Sequence, residues 1–187
     1  MAKQQSIKVK QLILDLESGN PVKISAALKL LQVNGTISVL TPLANLLLHP
    51  VDTKNKDEIL EFFSTLNDSN AVDAMIELIK NEAFLPIRQE LLSTMWNSKL
   101  DYSYYLPEFV EIAADGNFME ALECLTIIEN LEGPFEERHI LESQLHLKDY
   151  LEDTAPKDPQ KSQIMSEIAL IIKDFDQLDD EFDLVIN

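Results

Sequence analysis

Apolar residues recur three and four positions apart along almost the whole chain, in ten blocks set off by short polar breaks. Each block reads as an amphipathic helix. The first runs from Ser6 to Ser18 on Ile7, Leu12, Ile13 and Leu16. The second opens at Asn20-Pro21, an N-cap followed by a proline whose missing N–H would have no intrahelical partner anyway. Its stripe is Val22, Ala26, Ala27, Leu30, Leu31 and Val33. Thr36 caps a third helix on Val39, Leu40, Leu43, Leu46 and Leu47, which His49-Pro50 ends. A fourth covers Lys56 to Leu66, on Ile59, Leu60, Phe62, Phe63 and Leu66. Ser69 or Asn70 caps the fifth, on Val72, Met75, Ile76 and Ile79, and the sixth follows Pro86 on Ile87, Leu91, Leu92 and Met95. Asp101 leads the seventh (Tyr105, Phe109, Ile112) and Asn117 the eighth (Ala121, Leu122, Leu125, Ile128). Pro134 starts a longer ninth helix, and Asp158-Pro159 starts the tenth, on Ile164, Met165, Ile168, Ile171, Ile172 and Phe175. No run alternates with a period of two, so no strand is predicted.

The blocks repeat. Helix starts at Thr36, Ser69 and Tyr102 are 33 residues apart. Lys23, Lys56 and Arg88 lie 33 and 32 residues apart, each followed at +3, +4 and +7 by apolar residues: Ala26, Ala27 and Leu30; Ile59, Leu60 and Phe63; Leu91, Leu92 and Met95. A period near 33 holding two helices is the signature of stacked helical hairpins, each burying its apolar face on its neighbours.

At this point the chain resembles HEAT repeats. The run from Asn20 to Leu31 and the run from Leu85 to Leu92 look like second helices of HEAT units, and Leu40-Thr41-Pro42-Leu43 and Leu106-Pro107-Glu108-Phe109 look like first helices with their proline. Pro42 and Pro107 then mark a kink or ragged first turn, or helices that start late, at the proline. The resemblance covers residues 6–131; the acidic residue usual before the second helix is absent at Leu85, and the basic position is lost near Phe118–Glu120. It implies an all-α, right-handed α-α superhelix of about ten helices in about five antiparallel pairs. The units expected are 6–34, 36–67, 69–98 and 101–131, with a divergent capping pair at 134–175, together one domain over 1–175, and an acidic tail at 176–187. It also implies binding through a concave face lined mainly by second helices.

Composition agrees with helices and adds charge. Apolar residues make up 45% of the 187, and glycine occurs only four times, too rarely for a turn-rich β fold. The glycines are placed as helix stops: Gly19 to Gly35 is 16 residues and Gly116 to Gly133 is 17, one helix plus a turn each. The formal net charge is −18, and it is lopsided. Residues 1–100 carry 10 Lys+Arg against 11 Asp+Glu, whereas residues 101–187 carry 5 against 22. Such a field repels nucleic acid and anionic membrane, and serves either solubility or the docking of a basic protein. Cys124 is the only cysteine, so no internal disulfide is predicted and a reducing, cytoplasmic setting is expected. The first residues lack an apolar core like that of a signal peptide, and no stretch approaches 18 uncharged apolar residues.

Candidate chemistry is sparse. Neither a phosphate loop nor a dinucleotide fingerprint, nucleophile elbow or HExxH occurs. His139, Glu142 and His146, with Glu136, could face one way on one helix, but the Glu-x-x-His pattern is not repeated as a di-iron bundle needs. They read as solvated helix residues, and neither a metal nor another cofactor is expected. Cys124, among acidic neighbours in Leu122-Glu123-Cys124-Leu125, reads as core packing. Two groups stand out for partner binding: the aromatic cluster Trp96, Tyr102, Tyr104 and Tyr105, with Tyr102 and Tyr104 expected on the surface, and the cations Lys23, Lys56 and Arg88 along a groove. Inter-repeat packing competes for the first group and bonds to neighbouring loops for the second. The tail, Asp174 to Asn187, interleaves acid with Phe182, Leu184 and Ile186, as a frayed end or a docking segment would. A non-catalytic scaffold for a protein partner is the leading expectation. The alternatives are a DNA-glycosylase-like HEAT enzyme, which needs a basic concave face, and an acidic mimic of nucleic acid.

Overall fold

The ten predicted blocks become ten α-helices in the structure, a computed structural model that describes residues 2–34 and 37–186, with side chains over 8–31 and 37–175. In chain order they are α1 Ala2–Leu16, α2 Pro21–Asn34, α3 Leu40–Leu47, α4 Thr53–Ser64, α5 Ala71–Lys80, α6 Arg88–Met95, α7 Leu106–Asp115, α8 Phe118–Glu129, α9 Glu137–Glu152 and α10 Pro159–Ile186. Three 3-10 turns, Ile37–Val39, Glu82–Ile87 and Ser103–Tyr105, precede α3, α6 and α7. Among the described residues there is no strand, and the fold class is all-α.

Local chemistry sets most helix starts. Asn20 Oδ1 accepts from the N–H groups of Val22 and Lys23 at 3.0 and 3.3 Å, with Pro21 at the first helical position. Asn117 and Glu120 form a reciprocal capping box at α8. Asp158 Oδ1 accepts from Gln160 and Lys161 at 2.7 and 3.3 Å. Asp52, not recognised in the sequence, caps α4 through the Asn55 N–H and starts that helix three residues before Lys56. Asn70 at the N-cap of α5 makes no capping bond, its Nδ2 donating to Asp68 Oδ1 at 2.7 Å instead, and Thr36 and Gly35 lie outside the described residues. The prolines start their helices rather than bend them. Each of Pro42 and Pro107 falls in the first turn of an α-helix entered from a 3-10 turn, where an N–H is not needed. The ninth helix begins at Glu137, three residues after Pro134, because that proline and the left-handed Gly133 before it belong to the preceding loop. Gly19 is left-handed (φ 65°) as a helix stop demands, but Gly116 is not (φ −73°). A Cβ on Gly116 would lie 2.6 Å from Ile112 O and 2.7 Å from Glu120 Oε2, so close approach, not backbone sign, requires glycine there.

The chain divides into two compact units, Met1–Leu100 and Asp101–Asn187, at the start of the predicted fourth hairpin. In the first unit α1 packs on α2 and α5 on α6, while α1, α3 and α5 touch in sequence and so do α2, α4 and α6. Two rows of helices enclose a core of Leu16, Ile24, Leu31, Leu40, Leu43, Ile59, Phe63, Met75, Ile79 and Leu91. The second unit repeats the scheme: α7 packs on α8 and α9 on α10, with α7 against α9 and α8 against α10. Its core includes Tyr102, Leu106, Phe109, Val110, Cys124, Ile128, Ile140 and Ile168.

One predicted face is wrong. In α2 the buried residues are Ile24, Ala27, Leu28 and Leu31, whereas Val22 (78% exposed) and Leu30 point outward. Helix α2 carries apolar residues on two faces, so its periodicity does not single out one; α4, packed against it, does. The +3, +4, +7 rule holds fully only in α6, where Leu91, Leu92 and Met95 are all buried.

Candidate functional site

Polar side chains tie the second row of the first unit together at offsets close to the sequence period. The Ser25 hydroxyl on α2 donates to Glu58 Oε2 on α4, 33 residues on. Asn55 Nδ2 donates to Pro21 O at 3.2 Å, 34 residues back, and to Ser25 Oγ at 3.3 Å. The Lys56 ammonium bridges to Glu90 Oε1 on α6 at 2.7 Å, again 34 residues on. Of the expected cation ladder, Lys56 is therefore a tie between neighbouring helices. Lys23 is exposed in the first turn of α2, and Arg88 is the half-buried first residue of α6.

The Ser25 hydroxyl, ahead of the Lys54 ammonium 3.7 Å away, holds the Glu58 carboxyl below its ordinary 4.5. A carboxyl whose folded pKa is depressed binds protons more weakly folded than unfolded. Its stabilisation is complete above 4.5 and disappears as pH falls through the folded value. Ser25→Ala is expected to bring the Glu58 pKa up toward 4.5, measured by NMR titration of the side-chain carboxyl, and to move acid unfolding to higher pH. An unchanged Glu58 titration would refute the role of this bond.

The aromatic cluster is divided between the units. Trp96 caps the C-terminus of α6 in the first unit and is 41% exposed. The three tyrosines lie in the second. Tyr102, expected at the surface, is only 2% exposed; its ring stands edge-on to Phe109 at 6.0 Å, as a core residue would. The 3-10 turn explains this, because it turns Tyr102 inward and Tyr104 outward before α7 begins. Tyr104 is 54% exposed yet fixed in place. Arg138 Nη2, 34 residues on, donates to its hydroxyl at 2.6 Å, and the guanidinium sits 5.2 Å from the ring centroid. The buried His139 meets the ring edge-on at 4.6 Å, and the half-buried Tyr105 at 5.5 Å. Glu136 holds Arg138 at 2.7 Å, and the Tyr104 hydroxyl first, then Glu136, raises the Arg138 pKa above its ordinary value. Arg138 had no place in the sequence reading, although the period that aligned Lys23 with Lys56 also sets Tyr104 opposite Arg138.

His139 is thus an aromatic packing partner, while Glu142 lies on the exposed side of α9 and His146 is half-buried. Among the described residues no group of three or more His, Cys, Asp or Glu converges as a metal site would. Cys124 is fully buried. The backbone of α10 is helical through Ile186, so the predicted tail continues a helix; the side chains of Phe182, Leu184 and Ile186 lie outside the described residues. Among the described residues no helix is long and apolar enough to cross a membrane.

Compared with protein-family models, curated proteins and solved structures, the chain matches none of them.

Proposed function

We propose that this chain is a non-catalytic scaffold whose hairpins stack as a HEAT-like right-handed α-α superhelix and which holds a basic protein partner in the cytoplasm. The observation that supports this most is the ladder of side-chain bonds 33 and 34 residues apart, from α2 to α4 and from α4 to α6, with Tyr104 and Arg138 at the same offset in the second unit. A fixed offset of two helices is what stacked hairpins produce, and stacked hairpins leave a flank open to a second protein. The recognition residues of the second unit are the exposed Tyr104, clamped by Arg138, and the flanking Tyr105, while the exposed Trp96 is a separate candidate contact on the first unit; rigid aromatics lose little entropy on binding. Glu136 neutralises Arg138, and the 22 acidic residues against 5 basic ones over 101–187 supply the field that draws a basic partner. On the first unit Lys23 and Arg88 are separate candidate contacts, while Lys56 ties α4 to α6.

The test uses the immobilised full chain and native cell extract, at low and high salt, followed by purification of whatever protein is retained. Tyr104→Ala is expected to weaken that complex about tenfold, roughly 1.4 kcal/mol. The melting temperature should stay within about 3 °C, since exposed substitutions seldom cost more than about 0.5 kcal/mol and a chain this size shifts roughly 2–4 °C per kcal/mol. Retention that is indifferent to salt, or a large fall in melting temperature with unchanged binding, would overturn the proposal.

A further inference from the structure

Helices α2 and α9 each carry an apolar ridge on the side turned away from their own core. On α2, in the first unit, Val22, Ala26 and Leu30 are exposed at successive four-residue steps, while Ile24, Ala27, Leu28 and Leu31 are buried. On α9, in the second unit, Leu141 and Leu145 are 51% and 59% exposed, while His139, Ile140, Ser143 and Leu147 are buried. Positions four apart form one ridge of a helix, the feature that settles into a groove of a facing helix. A lone outward leucine is ordinary on a protein surface, whereas a continuous apolar ridge marks a contact.

The two ridges end in opposite charges. The α9 ridge continues at the same spacing to Glu137 on one side and Asp149 on the other, both exposed, so it runs acid, leucine, leucine, acid. Among the described residues neither carboxylate is in an ion pair, because the cations of α9, Arg138 and Lys148, are held by Glu136 and Glu152. The α2 ridge has an exposed lysine beside each end, Lys23 next to Val22 and Lys29 next to Leu30, and α2 contains no acidic residue. Among the described residues neither lysine is in an ion pair; Lys29 acts on Glu58 of α4 only as the last of its influences, behind the Ser25 hydroxyl.

Shape agrees with charge. Ala26 lies between the larger Val22 and Leu30, which leaves a dip in the middle of the α2 ridge for a leucine of a facing helix. Glu137 to Asp149 rises about 18 Å along the helix axis and Lys23 to Lys29 about 9 Å, a difference that the flexible four-carbon stems of two lysines can span. With acid at both ends of one ridge and a lysine at both ends of the other, the charges match whichever way the two helices run.

We infer that α2 of one copy of this chain docks on α9 of a second copy, ridge against ridge, with Lys23 and Lys29 over Glu137 and Asp149. The occupant is a second copy because the two complementary faces belong to the same chain and are always present in equal number. The faces differ, so the contact is heterologous: each copy gives its α2 to one neighbour and offers its α9 to another. One helix laid on another buries less than the roughly 1,200 Å² at which stable interfaces begin, so the contact is weak, with a Kd of about 10–100 μM. This association does not rest on the scaffold reading. It takes up Lys23 and leaves Tyr104 and Trp96 outside it.

The experiment is analytical ultracentrifugation of the full chain, from well below to well above that concentration. At low salt the wild type is expected to gain mass as concentration rises, and added salt should reverse the gain. Two variants separate the faces. Lys23→Glu with Lys29→Glu reverses α2, and Glu137→Lys with Asp149→Lys reverses α9; all four positions are exposed, and circular dichroism checks that each variant folds. Each variant alone sets like charge against like and should associate at least tenfold more weakly than the wild type. Mixed in equal amounts, they oppose unlike charges at every contact again and should regain association close to that of the wild type. Neither a folding defect nor an unrelated surface would be rescued by mixing. Leu145→Ser, which leaves every charge in place, should by itself weaken association about tenfold. A wild type that stays monomeric, association indifferent to salt, variants that associate like the wild type, or a mixture no better than its components would overturn the proposal.

Discussion

Phe109→Ala should lower the stability of the second unit by about 3–5 kcal/mol, the range for emptying a large aromatic from a close-packed core. Phe109 is fully buried on α7, the helix that touches α8 and α9, and Tyr102 stands edge-on to it at 6.0 Å. Removing the ring takes away apolar burial, the edge-to-face contact and the support that holds Tyr102 inward. A cavity left at a junction of several helices collapses poorly, because each wall is fixed by its other neighbours. Chemical denaturation followed by circular dichroism measures this directly. A loss below about 1 kcal/mol would mean that Phe109 is not the centre of this core. Tyr104→Ala, two residues from Tyr102 but outside the core, serves as the contrast: it should touch binding and leave stability nearly alone.

Lys161→Met should cost about 1–3 kcal/mol by a different route. The Lys161 ammonium on α10 donates to Ala114 O at 2.5 Å and to Gly116 O at 2.6 Å, capping the C-terminal end of α7 at the turn into α8. Carbonyls at a helix end lack intrahelical donors and carry the negative end of the helix dipole, so a cation is well placed there. Methionine keeps the length and the apolar stem, removes the donors and strands both carbonyls. Burial acts against the charge and holds the Lys161 pKa below 10.5, although Asp115, Glu120 and Asp158 act to raise it. The sign of the pH dependence follows. The folded chain releases this proton before the unfolded chain does, so in the window from the folded pKa up to 10.5 the wild type gains stability as pH rises. The difference between wild type and Lys161→Met should therefore widen with pH in that window. Urea denaturation of both proteins at a series of alkaline pH values reads it, and a difference that narrows instead would rule out desolvation as the leading influence on Lys161.

Of the aromatic candidates, the sequence placed Tyr102 and Tyr104 at the surface; Tyr104 is exposed there and Tyr102 is buried. Three tyrosines within four residues cannot be sorted into inside and outside from composition, since a 3-10 turn reorients neighbours by about 120° and its presence before α7 is not encoded in the apolar period. Arg138 was hidden for another reason: its partner lies one hairpin away, and only stacking brings an arginine and a tyrosine 34 residues apart within hydrogen-bonding distance. Gly19 and Pro50 were legible as turn residues, but that their two turns lie side by side is a property of packing.

The sequence by itself determined the all-helical class, the ten helices and the chemistry of their ends, because these depend on residues within one turn of one another: Asn20 before Pro21, Asn117 with Glu120, Asp158 before Pro159. The tertiary structure alone decided which face of α2 is buried, whether Tyr102 belongs to the core, and which charges meet. Those outcomes depend on partners about 30 residues away, and a helix with apolar residues on two faces carries no local signal that prefers one partner to another.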